Sequence, residues 1–253
     1  MDKDSEFLIL IPAYDEPDGL RMVLEEIMET IDPFILVVNR PPGHVQGKIA
    51  EGLGALVLDQ WSKGKGLALS EALEFIKNNH YVPEYIALID ADYTYPIKYM
   101  NEMMEILREN PKVGMVTGNR FPSWINSMRD IVKALFNPYY VGNRVLSFLH
   151  RLLNNVDMSD PFTGLRIIRY SLIKGWKPKS RSFDIECELN DFILNREGYG
   201  IVEIPIEFRE RVGKKKLGLR HGFIIFIRIC DMALISLTKR REIEKREIPL
   251  PFK

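Results

Sequence analysis

Along the first half of the chain, short apolar runs alternate with longer stretches whose apolar residues recur at helical spacing. Phe7–Pro12 is almost uninterrupted, the pattern of a strand buried on both faces. Gly19–Thr30 follows, with Leu20, Val23, Leu24 and Ile27 on one side of a helix. Phe34–Val38 and Ala55–Leu58 predict a second and third strand, and Gly66–Asn78 a helix. Tyr85–Ile89 predicts a fourth strand, Ile97–Glu109 a helix and Val113–Thr117 a fifth strand. Strands separated by helices of about a dozen residues predict βαβ units, hence an α/β fold with a mainly parallel sheet and helices on both faces. In such sheets ligands bind at the carboxyl ends of the strands, so the residues just after each strand carry the chemistry. Further on, Ser123–Asn155 is helical and aromatic with Arg129, Arg144 and Arg151 interleaved. Ile201–Phe208 predicts another strand at or near a sheet edge, because Pro205 lacks a ladder donor.

Composition narrows the class. A chain of 253 residues with 46% hydrophobic content supports one large domain, or one domain with a short appendage. Its 35 basic and 35 acidic side chains cancel, which argues against nucleic acid as a partner. Cys187 and Cys230 lie far apart and the four histidines are scattered, so neither a disulfide framework nor a zinc site is expected. The acidic start, Met1–Glu6, and the brief apolar run behind it do not make a secretory signal, and a cytoplasmic chain is the expectation.

Several strand-end segments could hold a ligand. Asp90-Ala91-Asp92 places two carboxylates at the end of an apolar strand, where they could hold a hard divalent ion on a diphosphate. Pro12-Ala13-Tyr14-Asp15-Glu16 could surround a nucleoside, or could merely complement a helix dipole. Lys63-Gly64-Lys65-Gly66 precedes a helix and could attract phosphate, though it is not a P-loop. In Asp160–Arg166, with Arg169 beyond, a carboxylate, a glycine turn and two arginines could line an anionic pocket; the plainer reading is an Asp cap on a short helix. Between Glu207 and His221, six basic residues face two acidic ones, either a solvated loop or a cover for phosphates. Phe223–Leu237 is apolar but broken by Arg228 and Asp231, too short and too charged to span a bilayer. It suits a helix lying in a membrane surface between basic flanks, and equally a core or dimer helix.

Taken in order, these pieces resemble the inverting glycosyltransferases of family 2, which have the GT-A fold, and in particular the dolichol-phosphate mannose synthase branch. Ile11-Pro12-Ala13-Tyr14-Asp15-Glu16 is similar to that family's opening motif, Gly64-Lys65-Gly66-Leu67-Ala68 to its helix start, and Asp90-Ala91-Asp92-Tyr93-Thr94-Tyr95-Pro96 to its metal motif. Gly118-Asn119-Arg120-Phe121, Asp160–Arg166, Phe183–Glu186, Glu203–Ile206 and the basic Arg211–Leu217 match later landmarks, so the likeness runs from about residue 6 to residue 220. It implies a GT-A catalytic domain over residues 1–220 and an amphipathic, basic tail over 221–253.

The resemblance also implies roles. Pro12, Ala13, Tyr14, Glu16, Lys65, Asp90, Ala91 and Asp92 would bind the nucleotide-diphosphate sugar. Asp90, Asp92 and Thr94 would bind Mg²⁺ or Mn²⁺, Thr94 standing where the family has Gln. Asp92, Asp160 and Arg120 are the catalytic candidates. Arg120, Arg129, Arg166, Arg211 and Lys216 would receive the phosphate of a polyprenyl or dolichyl acceptor, and the tail would seat the enzyme peripherally on the cytoplasmic membrane face. Such an acceptor oxygen is already anionic and needs no strong base. Two departures stand out: Val37-Val38-Asn39-Arg40 replaces an acidic nucleoside-binding motif, and one residue is missing from the basic loop. Alternatives stay open: transfer to a soluble or glycan hydroxyl, with Asp160 as base, nucleotidyl transfer, which uses a related sheet and carboxylate metal chemistry, and a catalytically silent membrane-surface binding protein.

Overall fold

The apolar run at the start of the chain becomes the middle of a seven-stranded sheet. The computed structural model describes residues 6–121, 136–154, 156–214, 216 and 218–247. Its elements are β1 (Phe7–Tyr14), α1 (Pro17–Thr30), β2 (Phe34–Arg40), α2 (Val45–Gly52), β3 (Leu56–Asp59), α3 (Lys65–Asn78), β4 (Tyr85–Leu88) and α4 (Tyr99–Glu109). These are followed by β5 (Val113–Asn119), α5 (Pro138–Asn154), β6 (Arg166–Arg169), α6 (Tyr170–Ile173), α7 (Ile185–Leu194), β7 (Gly200–Pro205) and α8 (Leu219–Glu247). Strand order is β3-β2-β1-β4-β6-β5-β7.

β1 pairs in parallel with β2 and with β4, Leu10 lying opposite both Leu36 and Leu88. Its alternation divides the core into two layers. Ile9, Ile11 and Ala13 face α1 and α4, packing with Leu20, Leu24, Met100 and Met103. Leu8 and Leu10 face α3 and α7, packing with Leu69, Ala72, Ile76 and Leu189. A strand covered by helices on both sides has no polar face, which is why the run is continuously apolar. The expected α/β architecture is therefore present, and β7 lies at the edge of the sheet, paired with β5 and ending at Pro205.

The pattern misses β6. This strand runs antiparallel to both β4 and β5, and inserts between them. Four residues with an arginine at each end carry no apolar signature, so the segment reads as a pocket or a short helix. Neither arginine faces an anionic pocket. The Arg166 guanidinium is buried against the carbonyls of Thr163 and Pro161 and against Asn190 Oδ1. The Arg169 guanidinium donates to the carbonyls of Val113, Asn110 and Leu107, the last two at the end of α4.

The expected helix in the 123–155 segment is present as α5; the first part of that segment, with Arg129, lies outside the described residues. α8 begins two residues before the expected tail and packs across α5 and α7. Ile225, Ile229 and Met232 are buried with Cys187, Leu146 and Leu149. Its other face, with Phe223, Ile227 and Leu234, stays exposed, as do Val145, Phe148 and Leu152 on α5. The apolar stretch is thus half core and half surface. Arg228 pairs with Asp184 at 3.0 Å and with Asp231 at 3.6 Å. Among the described residues no helix is long and apolar enough to cross a membrane.

Candidate active site

Parallel strands deliver their carboxyl ends to one edge of the sheet, and there β1 ends at Tyr14, β2 at Arg40 and β4 just before Asp90. At β4 the chain turns through Tyr93, which has φ of 64°. The turn lets Thr94 bond back to Asp92 Oδ1, from its hydroxyl at 2.5 Å and its N–H at 3.2 Å. Asp90 lies against Gly164, where a Cβ would stand 2.2 Å from Asp90 Oδ2; only glycine permits that approach. At the neighbouring strand ends, Gln46 joins β1 to β2. Its Oε1 accepts the Glu16 N–H at 2.7 Å, and its amide donates to the carbonyls of Ala13 and Arg40.

Cations hold the carboxylates in place. Lys65 bridges Asp90 at 2.6 Å and Glu186 at 2.7 Å. Arg211 bridges Asp92, at 2.9 Å, and Glu16. The loop carrying Arg211 is fastened over the edge by backbone bonds from Arg209 N to Thr94 O and from Val212 N to Asp92 O. Gly213, at φ of 93°, lets this loop pass beside Glu16: a Cβ there would lie 2.4 Å from Glu16 Oε2. Burial raises the Asp92 carboxyl, and the Asp90 charge adds to it. Burial raises Glu16 as well, against the pull of Arg211. For Asp90 burial works the same way, but Lys65, Arg120 and Arg211 outweigh it and hold the carboxyl below its ordinary value.

Two cavities flank these groups. One, of about 580 Å³, includes Pro12, Ala13, Tyr14, Glu16, Arg40 and Ala91 in its lining. The Tyr14 ring at its rim has Lys216 at 5.2 Å, Lys63 at 5.3 Å and Arg40 at 5.9 Å. The other, of about 340 Å³, reaches from Thr94, Tyr95 and Arg120 to residues of α5 and the start of α8. Lys65, Asp90, Asp92, Phe183 and Arg211 line both. The cavities therefore meet at the paired carboxylates.

The expected site residues divide accordingly. Pro12, Ala13, Tyr14, Glu16, Ala91 and Lys216 lie on the first cavity, Arg120 and Thr94 on the second, and Lys65, Asp90, Asp92 and Arg211 at the junction. Asp160 and Arg166 line neither. Asp160 is fully buried, with both oxygens on the Arg120 guanidinium at 2.7 Å, while Glu203 accepts the Asp160 N–H at 2.7 Å. Asp160 thus orients Arg120, which also donates to Tyr95 Oη at 3.3 Å. Sequence reasoning gave no role to Glu186, Glu203, Gln46 or Arg40; Glu186 and Glu203 were visible only as landmarks of a resemblance.

A hard divalent ion takes oxygen ligands, and Asp92 Oδ2 is such an oxygen, occupied by the Arg211 cation. Among the described residues no group of three or more His, Cys, Asp and Glu side chains is placed to hold an ion. The residues fit an ion anchored by Asp92 and completed by ligand oxygens, with Arg211 displaced. Thr94 Oγ1 fixes the rotamer of that carboxylate.

The chain is similar in sequence and in fold to known proteins. The family model described as Glycosyl transferase family 2 matches residues 8–176. A dolichyl-phosphate hexose transferase of Haloferax volcanii is 27% identical over 222 residues, 84% of this chain and 86% of its own. The glycosyltransferase AglJ of the same organism is 27% identical over 224 residues, 87% of this chain and 70% of its own. Among solved structures, glucosyl-3-phosphoglycerate synthase from Mycobacterium tuberculosis, with Mn²⁺, UDP and glucosyl-3-phosphoglycerate, has a TM-score of 0.68 at 14% identity, covering 90% of this chain and 80% of its own. Mannosyl-3-phosphoglycerate synthase from Rubrobacter xylanophilus has a TM-score of 0.62 at 19% identity, covering 98% and 77%. At these identities the structural likeness shows a shared GT-A fold.

Proposed function

The chain belongs to glycosyl transferase family 2, and from that premise we propose that it moves a hexose, mannose in the favoured case and glucose in the other, from a nucleotide-diphosphate sugar to a dolichyl or polyprenyl phosphate. The observation that carries this reading is that, among the described residues, each carboxylate on the second cavity is paired with a Lys or Arg: Asp90 and Glu186 with Lys65, and Asp92 with Arg211. Each of these carboxylates is thus engaged by a cation and none stands free to take a hydroxyl proton; Asp90 in addition is held below its ordinary value. An acceptor that arrives as an anion needs no such base. Asp160, the base that a hydroxyl acceptor would call for, lies off the cavity and is taken up by Arg120.

In this reading the diphosphate lies at Asp92 and Lys65, and the nucleoside extends toward Tyr14 and Arg40. Bound Mg²⁺ or Mn²⁺ would supply neutralisation of the charge that develops on the leaving diphosphate. Arg211, once off Asp92, and Arg120 bind the acceptor phosphate from the other cavity. The acceptor oxygen forms its bond to the anomeric carbon on the face opposite the diphosphate. The carbon–oxygen bond to the donor breaks and its electron pair leaves with the nucleoside diphosphate, inverting the centre. The Haloferax relative's name and the exposed apolar faces of α5 and α8 support a lipid acceptor at a membrane surface.

The test incubates the protein with Mn²⁺, dolichyl phosphate and either GDP-mannose or UDP-glucose labelled in the sugar. Label should enter the organic phase and fall on the order of 10³-fold in Asp92→Ala. Label confined to water-soluble acceptors would sink the lipid reading.

A further inference from the structure

The second cavity has an outer end that the chemistry at its inner end does not explain. There it is walled by Tyr139, Gly142 and Leu146 of α5 and by Gly218, Gly222 and Ile225 at the start of α8. Gly142 and Gly222 sit inside helices, where glycine is the least favourable residue apart from proline. Close packing would excuse such glycines elsewhere: a Cβ on Gly66 in α3 would stand 2.1 Å from Ser180 O. At Gly142, Gly218 and Gly222 a Cβ would meet nothing within 4 Å. Among the described residues no contact calls for glycine at these positions. What their missing side chains leave is room along the cavity.

That opening joins two unlike environments. Inside are Arg120 and Arg211, suited to a phosphate. Outside, the same turns of the two helices carry exposed apolar side chains, Val141 and Val145 on α5 and Phe223, Ile224 and Ile227 on α8. We propose that the gap between α5 and α8 at Gly142 and Gly222 is a doorway for the acceptor's hydrocarbon chain, through which its first isoprene units pass while the phosphate rests on Arg120 and Arg211. This rests on the lipid-phosphate reading above and adds to it a subsite for the tail. The ligand it fits is an amphiphile with an anionic head and a branched apolar chain; a free phosphate ester would leave the outer half unfilled.

The experiment substitutes Gly142→Leu and Gly222→Leu, with Gly52→Leu as control. Gly52 ends α2, has equally open space around it and lines neither cavity. Transfer to dolichyl phosphate and to the short-chain citronellyl phosphate is followed with GDP-mannose and UDP-glucose, beside GDP and UDP binding in Mn²⁺ and the melting temperature. Both doorway variants should keep wild-type nucleotide binding and melt no lower than wild type, since leucine is a better helix former. Their KM for both prenyl phosphates should rise roughly tenfold or more, as expected when a filled apolar subsite loses its room. The control should change none of these. Wild-type KM for the lipid in both variants would overturn the doorway and leave the lipid-phosphate reading intact. If the wild-type protein transfers sugar to neither prenyl phosphate, the functional reading itself fails and the doorway with it.

Discussion

The two sides of the sheet edge are built from different materials. On the side proposed for the donor, the ends of β1, β2 and β4 hold charged groups in contact with one another, with Arg211 placed between Asp92 and Glu16. On the side proposed for the acceptor, the outer wall comes from α5 and α8, which pack through apolar side chains, and the charged residues lining the cavity lie at its inner end. The contrast is sharpest between two carboxylate–arginine pairs. Asp92 with Arg211 lies on both cavities, and the burial that raises the Asp92 carboxyl makes its charged form costly. Asp160 with Arg120 keeps its carboxylate off both cavities, in a bidentate pair closed by backbone bonds to Glu203. The same two residue types thus face the cavities in one place and are buried behind them in the other, where the carboxylate orients the arginine.

The largest expected effect breaks that second pair. Asp160→Ala leaves the Arg120 guanidinium, only 13% exposed, without its main partner. Removing one member of a buried pair costs about 3–5 kcal/mol, so urea unfolding should show a loss of that size. Asp92→Ala should stay within about 1 kcal/mol of wild type, because it removes a carboxylate that burial already disfavours. Equal losses in the two variants would mean that Asp92 also holds the fold and that the division of labour drawn here is wrong.

Acid should separate the regions next. His150 on α5 is fully buried, stacked on Phe162, with Asn154 at 3.3 Å from its Nδ1. Burial, helped by the Arg166 charge, pushes it down from 6.5 to about 4. The folded imidazole stays neutral in a range where the unfolded one takes a proton, so stability is full above the unfolded value and falls as pH drops from about 6.5 to about 4. The loss approaches about 3 kcal/mol. For Glu16 and Asp92 the sign is opposite: their raised folded values mean that protonation on acidification favours the folded state. Melts at neutral and acid pH should therefore show that His150→Phe flattens the acid loss relative to wild type. Parallel curves would remove His150 as the cause.

What could be read in the chain follows from the same contrast. An apolar strand announces itself in consecutive residues and delivers whatever follows it to the sheet edge, so Tyr14, Glu16, Asp90 and Asp92 were legible from β1 and β4. β6 was not, because Arg166 and Arg169 bond to backbone carbonyls and disguise a strand as a polar turn. Nor could sequence show that Asp160 is spent on Arg120, or that Glu186 shares Lys65 with Asp90. Those pairings join residues far apart in the chain and depend on tertiary approach alone. The tail was ambiguous for a physical reason. Residues 223–237 are apolar on more than one side, with Ile225 and Ile229 inside and Phe223 and Ile227 outside.

That outer face carries the smallest of the expected effects. Phe223 is 63% exposed and Ile227 50%, one helical turn apart and on the same side of α8 as each other. Burying a large apolar side chain fully is worth about 1.5–3 kcal/mol, and a helix resting in the headgroup layer would realise part of that for each residue. Lys214 and Arg220 are exposed near the start of the helix and would add attraction to anionic lipid, about 1 kcal/mol per charge near the surface. Flotation with vesicles containing anionic lipid should therefore recover the wild-type protein, with less recovered as salt rises. The double variant Phe223→Asp, Ile227→Asp should float roughly tenfold less. Neither side chain belongs to the buried cluster that fixes α8, so the melting temperature should hold. If the variant floats as well as wild type, the exposed face of α8 is not the membrane contact; if it melts lower as well, the face is covered by protein instead, and the contrast between a charged donor side and a lipid-facing acceptor side loses its second term.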